Sequence, residues 1–480
     1  MPGIGQRGTW LIAGLLAAAI PSLWMWGFTV DDALISVRYA RHLVAGVGWR
    51  FDATGPTTDG VTPLPWPLVL APLAHADALT VLTRSKALGL VAWCVAGAAL
   101  GRAIGAQERA PAWTRATVLV VLALSVPLAA HAVSGMETSV ATALATFAAL
   151  QVERPRVAAV LAGLAASLRP ELAPWACVLA VGLALAARRG AVHTVAAGGL
   201  ALGPFVACAL VRVVVWGRPA PLALLAKPSD LAHGLPYAAA ACVVAVVPLL
   251  VLAPFALRRT PAGLAVAVAG MAHVAAMAVA GGDWMPYARL VVPIVPSLGW
   301  AAALAAPHAH ALATAGRSVS AVAWGLLQIA RGGTDGRHVG ADRASLVEAA
   351  RPALVGCSEV AAEDIGWVSA ATDADVLDLG GVTDPSIAAL PGGHTSKRID
   401  GILLLDRGAD ALLLYAPAGL PPEGLPAWSD ATYAYVVLAR LAVDPTVVHH
   451  FTPVAWLPLG AKGGGYVLLR ARARDEQEDP

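Results

Sequence analysis

Residues 192–215, VHTVAAGGLALGPFVACALVRVVV, contain a single charged side chain, Arg212. A helix needs about 20 mainly apolar residues to cross the hydrocarbon layer of a bilayer, so this stretch predicts a transmembrane helix. The chain of 480 residues is 58% hydrophobic and only 13% charged. A soluble protein has roughly 25% charged residues and a disordered chain has few apolar ones, which argues against both classes. The net charge of +2 gives no ground for a nucleic-acid partner.

Similar apolar runs recur along the first two thirds of the chain. Several are short, and the last one contains Arg317 and Gln328. The sequence therefore predicts about 11 transmembrane helices, over residues 9–28, 84–104, 115–133, 136–151, 156–168, 171–187, 192–215, 238–257, 262–280, 287–306 and 314–331. An additional interfacial helix is expected over 62–76, and the first run is expected to be an uncleaved anchor.

The composition changes near residue 332. Residues 1–330 hold 11 of the 31 acidic side chains, and the remaining 20 follow. The fold class predicted from this change is a polytopic α-helical membrane domain over 1–331, followed by a soluble α/β domain over 332–480. In the second part, residues 374–379, 401–405, 411–415 and 466–471 are predicted as strands, and 341–350 as a helix.

The arginines indicate an orientation. Most of those in the first part lie in the loops that follow even-numbered runs, which the positive-inside rule assigns to the cytoplasm. Arg38, Arg41 and Arg50 are exceptions. The N-terminus is then expected to be cytoplasmic. Eleven spans would place the second part outside, whereas ten would place it inside.

Most acidic residues of the first part fall on the opposite, outer face. Asp31 and Asp32 directly follow the first run and precede a helix predicted over 32–45. One interpretation is that they cap this helix. The other is that a carboxylate faces a cavity at the membrane boundary, where burial raises its pKa and it accepts a proton from a sugar hydroxyl. Because the two acids are adjacent, one can cap the helix while the other faces the cavity.

Three further stretches on the same face carry ionisable groups at the ends of runs. Ionisable groups at membrane depth are costly and mark functional sites by default. Glu137 opens the fourth run, where it is either an acid that favours a helix start or a residue of a functional site. The pair Arg169 and Glu171 surrounds a proline, and an arginine there suits a phosphate group. Trp284 and Tyr287, in the segment GGDWMPYAR of residues 281–289, suit a lipid interface or stacking on a sugar ring.

Taken as an ordered set, these stretches resemble the membrane-embedded glycosyltransferases of the C superfamily (GT-C), in particular the group of the mycobacterial terminal arabinofuranosyltransferase. The resemblance covers residues 10–300. The residues that carry it are Asp31-Asp32 with Arg38-Tyr39-Ala40-Arg41, GVGWRF of residues 46–51, DGVTPLPW of 59–66, GMET of 135–138, RPE of 169–171 and GGDWMPYAR of 281–289. In the second part, only DLGGVTDP of residues 378–385 is loosely similar.

This resemblance implies a polyprenyl-phosphate-linked sugar as donor, arabinofuranose among the candidates, and a cell-envelope glycan as acceptor, in the bacterial inner membrane. An acid in the first external loop is then the base, with Asp31 the first choice and Asp32 the second. Arg169, Arg289 or Lys227 is expected to hold the phosphate. Sugar-binding or orienting roles are expected for Glu137, Glu171, Asp283, Trp284, Tyr287, Arg38 and Tyr39.

No metal is expected to be obligatory, since a monophosphate leaving group needs less help than a diphosphate, although two adjacent carboxylates leave Mg²⁺ or Mn²⁺ as an alternative. The second part is expected to bind the acceptor glycan or to form a lid, with Asp364, Asp378 and Asp384 as sugar contacts or turn residues. The main alternative function is a transporter or flippase of a lipid-linked sugar, which would carry its ionisable residues near the bilayer midplane on broken helices. A scaffold protein is the third class.

Overall fold

The computed structural model describes residues 4–227, 229–246, 249, 255–418, 433–460 and 464–472, with the side chains from residue 8 onward. Its first part is helical. The α-helices there are α1 Ile4–Trp24, α2 Asp32–Val44, α3 Trp66–Leu70, α4 Ala78–Gly105, α5 Ala112–Ala123, α6 Val126–Ala132, α7 Thr138–Leu150, α8 Pro155–Leu168, α9 Ala173–Ala186, α10 Ala191–Trp216, α11 Ala223–Ala226, α12 Leu231–Ala241, α13 Pro261–Val279, α14 Val295–Ala305 and α15 Ala311–Gln328.

Among the described residues, four helical segments are long and apolar enough to cross a membrane, so the chain has the character of a membrane-embedded helical protein. They are Ala78–Gly105, Ala191–Trp216, Pro261–Val279 and Arg289–His308. A fifth arises if α5 and α6, which meet at an angle of 59°, count as one broken span.

The prediction of about 11 transmembrane helices is therefore wrong as a count. Helices do form at the predicted places, but many are short: α7 has 13 residues and α8 has 14. At 1.5 Å per residue such helices are only about 20 Å long, less than the roughly 30 Å of a hydrocarbon layer. The least apolar run became α15, which is not among the candidates and contains Arg317. Part of the run predicted over 238–257 lies outside the described residues.

Small residues bring α1 and α4 close together. Gly97 and Gly101 of α4 face Gly14 of α1, and a Cβ atom added at Gly14 would lie 2.2 Å from the carbonyl oxygen of Gly97. Backbones can approach this closely only where side chains are absent, which is how small-xxx-small patterns join apolar helices. A larger side chain at Gly14 is therefore incompatible with this packing.

The second part contains helices and a small mixed sheet. Its helices are α16 Val339–Ala353, α17 Ile365–Ala371, α18 Pro385–Ala388, α19 Gly401–Asp406, α20 Val436–Ala442 and α21 Pro445–His450. Its strands are β1 Glu359–Ala362, β2 Asp375–Asp378, β3 Ala411–Ala416, β4 Phe451–Pro458 and β5 Gly465–Ala471, in the order β2-β1-β3-β5-β4. The pairs β1–β2 and β1–β3 are parallel, and β3–β5 and β4–β5 are antiparallel.

Most local predictions for this part are confirmed. Strands β2, β3 and β5 and helix α16 lie where they were expected. The strand expected over 401–405 is wrong, because this run forms α19. Asp400 caps that helix by accepting a hydrogen bond from the backbone of Leu403 at 3.0 Å. A short apolar run does not distinguish a buried strand from a buried helix. Here the N-terminal cap by Asp400 favours the helix.

The apolar core does not stop at residue 331. One cluster of buried side chains runs from the membrane helices into the second part, where it includes Leu346, Val360 and Trp367. A second cluster lies within the second part and includes Leu377, Leu412 and Leu469. The two parts are thus packed against each other through shared core residues.

The segment between α1 and α3 is tied to the sheet by polar contacts. Arg38 donates hydrogen bonds to the carbonyl of Phe51 at 2.6 Å and to that of Ala374 at 2.8 Å. Asp52 accepts a hydrogen bond from the backbone of Val376 in β2 at 2.9 Å. Burial raises the pKa of Asp52 from 3.8 to about 7, against the opposite effect of the Arg38 charge.

This raised pKa predicts a pH dependence of stability. Between pH 4 and pH 7 the folded protein keeps the Asp52 proton that the unfolded chain has released, so folding loses stability as the pH rises through this window. The variant Asp52→Asn cannot titrate there. We expect its midpoint of thermal unfolding, relative to the wild type, to increase from pH 4 to 7 and to level off above. A difference that is constant between pH 4 and 7 would contradict this.

Candidate functional site

Two adjoining cavities lie where one end of the membrane helices meets the second part of the chain. The larger, called the outer cavity, has a volume of about 680 Å³, and the smaller, called the inner cavity, about 160 Å³. Both are lined by Asp32, Ile35, Lys227, Asp283 and Val382. Residues from the start of α2, the loop after α11, the loop after α13 and the loop after β2 therefore meet at one junction.

The inner cavity contains a buried ionic network. Arg169 donates to Glu137 at 2.8 Å, and its Nη2 atom lies 2.5 Å from Glu171. Glu137 is fully buried, and its Oε2 atom has no hydrogen-bond partner among the described residues. An unpaired buried carboxylate oxygen is costly, so the charge of Glu137 depends on its pairing with Arg169.

The loop after α13 supplies a second ion pair. Arg289 Nε lies 2.7 Å from Asp283 Oδ2, and both residues line the inner cavity. Burial acts to raise the pKa of Asp283, but Arg289, Lys227 and Arg169 outweigh it and hold that pKa below its ordinary value. Asp283 is therefore ionised at neutral pH.

Glycine permits the path of this loop. Gly281 and Gly282 have φ angles of 91° and 75°, in the left-handed region that favours glycine. A Cβ atom at Gly282 would also lie 2.7 Å from the side chain of Tyr237. This explains the two glycines that precede Asp283 in the sequence.

Two charged groups at the junction are free. Within the described part of the chain, neither the carboxylate of Asp32 nor the ammonium group of Lys227 has a hydrogen bond or ion pair. Both face the outer and the inner cavity. A free acid and a free cation at one junction form a pair that can accept a proton and neutralise an anion.

Asp31, by contrast, is occupied by structural contacts. Its carboxylate pairs with Arg343 at 2.7 Å and accepts hydrogen bonds from the backbone of Gly366 at 2.7 Å and of Trp367 at 2.9 Å. Burial raises the pKa of Asp31 to about 6, which leaves it ionised at neutral pH. Asp31 does not cap α2; it accepts from two backbone donors in the first turn of α17 and so joins the start of α2 to the second part.

The second part forms one wall of the outer cavity. Glu363, Asp364, Asp378 and His394 line it, together with the aromatic residues Tyr415 and Tyr435. Burial and the charge of Lys227 lower the pKa of His394 to about 4, so its ring is neutral at pH 7. Sequence reasoning missed Glu363 and His394, since neither belongs to a motif.

The three acids considered in this part have different surroundings. Asp378 is buried and accepts four hydrogen bonds, from the backbones of Gly380, Gly381 and Thr383 and from the Thr383 hydroxyl. It is therefore a turn residue at the cavity wall. Asp364 accepts a hydrogen bond from the Tyr466 hydroxyl. Asp384 caps α18 and pairs with Arg407, and it does not line either cavity.

Three residues proposed as sugar contacts lie outside the two cavities. Arg38 is used by the loop contacts described above, and the buried Tyr39 hydroxyl donates to Thr58 and accepts from the backbone of Gly60. Tyr287 accepts from the backbone of Gly336 at 2.9 Å. Each of these three side chains is held by protein groups, and a direct sugar contact by any of them stays a prediction. Trp284 does line the outer cavity, with its ring stacked on His233 at 4.3 Å.

Among the described residues, no group of three or more His, Cys, Asp or Glu side chains has an arrangement that could hold a metal ion. Comparisons with protein-family models, curated proteins and solved structures found no match to this chain. The residues and geometry of the two cavities are therefore the basis on which a function is proposed.

Proposed function

We propose that this protein is an inverting glycosyltransferase that moves a sugar from a polyprenyl phosphate to a glycan acceptor on the outer face of a bacterial inner membrane. The observation that carries the proposal is the junction of the two cavities, where the free groups of Asp32 and Lys227 meet the ionic pairs of Arg169 and Arg289. The resemblance to GT-C enzymes leads to the same residues. The cytoplasmic N-terminus and the outer location of the second part belong to the proposal.

The division of roles follows from which groups are already paired. Arg169 is paired with two glutamates, and Arg289 with Asp283. Lys227 is therefore the cation available to the donor phosphate, with the two arginines adding positive charge around it. Glu137 orients Arg169 at the wall of the inner cavity, through the ion pair between them at 2.8 Å.

The same argument favours Asp32 over Asp31 as the base. Asp31 is held by Arg343 and two backbone groups, whereas the carboxylate of Asp32 has no hydrogen bond or ion pair with any residue that the structure describes. In the proposed step the acceptor hydroxyl oxygen bonds to the anomeric carbon and its proton passes to Asp32. The bond from this carbon to the phosphate oxygen breaks, and its electron pair leaves with the polyprenyl phosphate. A single displacement of this kind inverts the anomeric configuration.

The outer cavity suits an acceptor glycan. It is bordered by carboxylates, by the stacked ring of Trp284 and by Tyr415 and Tyr435, which are the groups that bind sugar hydroxyls and faces. We assign the second part of the chain to acceptor binding at this wall. Arabinofuranose is a candidate for the transferred sugar on the strength of the resemblance alone.

The test is a transfer assay with the purified full-length protein in detergent. A panel of polyprenyl-phosphate sugars, arabinofuranosyl and mannosyl donors included, is supplied with cell-envelope glycan fragments, and products are identified by mass spectrometry. We expect one donor to be consumed with formation of an extended glycan, with and without a chelator. If the protein were a flippase instead, no extended glycan would form in this assay. Binding of a lipid-linked sugar without transfer under all these conditions would overturn the enzyme assignment.

A further inference from the structure

A third cavity lies at the opposite end of the helices from the two described above. It has a volume of about 360 Å³ and is formed by the loops before α8 and before α10. Helix α8 runs from Pro155, at this cavity, to Leu168, which precedes Arg169 of the inner cavity. Fourteen residues at 1.5 Å each separate the two ends by roughly 20 Å, so this is a distinct site.

The cavity is basic. Arg154, Arg156 and Arg189 line it with His193, and Glu153 is the one carboxylate in its wall. In the part of the chain that the structure describes, none of these three guanidinium groups has a hydrogen bond or ion pair. Three unpaired arginines against one acid suit an anion with several oxygens, and the planar guanidinium fork matches phosphate in particular.

Exposed apolar side chains lead away from this basic cavity. Val157 lines it and is 44% exposed, and Val160 and Leu164 continue the same face of α8 at 42% and 41%. Residues at positions i, i+3 and i+7 form one stripe along a helix. Helix α10, which begins at the cavity, is a candidate membrane span. The cavity thus lies at the end of an apolar helix surface. A hydrocarbon chain can pack along the exposed stripe of α8.

We propose that this cavity binds the phosphate headgroup of an anionic phospholipid, with an acyl chain along the stripe of Val157, Val160 and Leu164. Basic cavities between helices at a membrane surface recognise such headgroups, and each arginine near the surface adds to the attraction. Unlike a soluble phosphate, a lipid also uses the apolar stripe, which is why we assign the lipid. This inference does not depend on the proposed transfer activity.

The experiment is native mass spectrometry of the purified full-length protein, supplied with equal amounts of phosphatidylglycerol and phosphatidylcholine. We expect the wild type to retain phosphatidylglycerol preferentially, and Arg154→Gln/Arg156→Gln/Arg189→Gln to retain it about 10- to 100-fold less. The matched control Arg109→Gln/Arg258→Gln/Arg259→Gln removes the same charge from arginines that do not line the cavity and should retain it like the wild type.

Three results would overturn the inference. Equal losses in both triple variants would mean that general surface charge, and not the cavity, holds the lipid. Displacement of the lipid by millimolar inorganic phosphate would assign the cavity to soluble phosphate. Equal retention of the two lipids by the wild type would show that the headgroup charge is not recognised.

Discussion

The variant Asp32→Asn is expected to lower sugar transfer by about 10²- to 10⁴-fold, the usual contribution of a positioned general base. The amide has nearly the shape of the carboxylate but cannot take the acceptor proton. Because Asp32 has no hydrogen bond or ion pair with the described residues, its replacement should leave the midpoint of thermal unfolding nearly unchanged. The measurement is the initial rate of glycan extension at saturating donor, alongside a thermal unfolding curve.

Two controls separate chemistry from structure. Asp373→Asn changes an exposed carboxylate outside both cavities and should retain full activity. Asp31→Asn should lower the unfolding midpoint, because Arg343 then loses its charged partner within the packed interface. If Asp31→Asn abolishes transfer at unchanged stability while Asp32→Asn stays active, the roles assigned to the two acids are reversed.

The variant Arg169→Met is expected to destabilise the protein by about 3–5 kcal/mol, the cost of leaving a buried charge without its partner. Arg169 is the cation between Glu137 and Glu171, and Glu137 is fully buried. Without the guanidinium group, two carboxylates face each other in a low-dielectric site. The measurement is reversible unfolding in detergent or, if unfolding is irreversible, the half-life at a fixed temperature.

A surface pair provides the control for this prediction. Arg351→Met breaks the exposed pair with Glu348 and should cost at most about 1 kcal/mol. The triple variant Glu137→Gln/Arg169→Met/Glu171→Gln removes all three charges and should recover part of the stability lost in Arg169→Met. If Arg169→Met is no less stable than Arg351→Met, the buried network does not support the fold.

The helical positions were predictable from apolar runs, since a run that cannot be exposed to water forms its hydrogen bonds within itself. The number of membrane crossings was not. Helix α7 and helix α8 are as apolar as the longer helices but too short to cross alone. Helix α7 begins directly after Glu137, and α8 ends directly before Arg169. Mean hydropathy does not show where a helix ends within an apolar region.

The candidate site shows the same limit. The order of the motifs predicted that Asp32, Glu137, Arg169 and Asp283 belong together, and they line adjoining cavities. The sequence favours Asp31 as the base, whereas the fold favours Asp32. The reason is that Arg343, more than 300 residues away in the chain, pairs with Asp31. His394 carried no motif, yet the packing of the second part places it at the cavity wall.

The sequence by itself determined that the chain is an apolar helical protein with its scarce charges gathered at particular helix ends, because burying an ionisable group is too costly to occur by chance in an apolar run. Only the tertiary structure decided which of those charges are free. Whether a carboxylate acts as a base or makes a structural contact depends on the hydrogen-bond donors around it. For Asp31 those donors come from distant segments that only folding brings together, whereas Asp32 has none among the described residues.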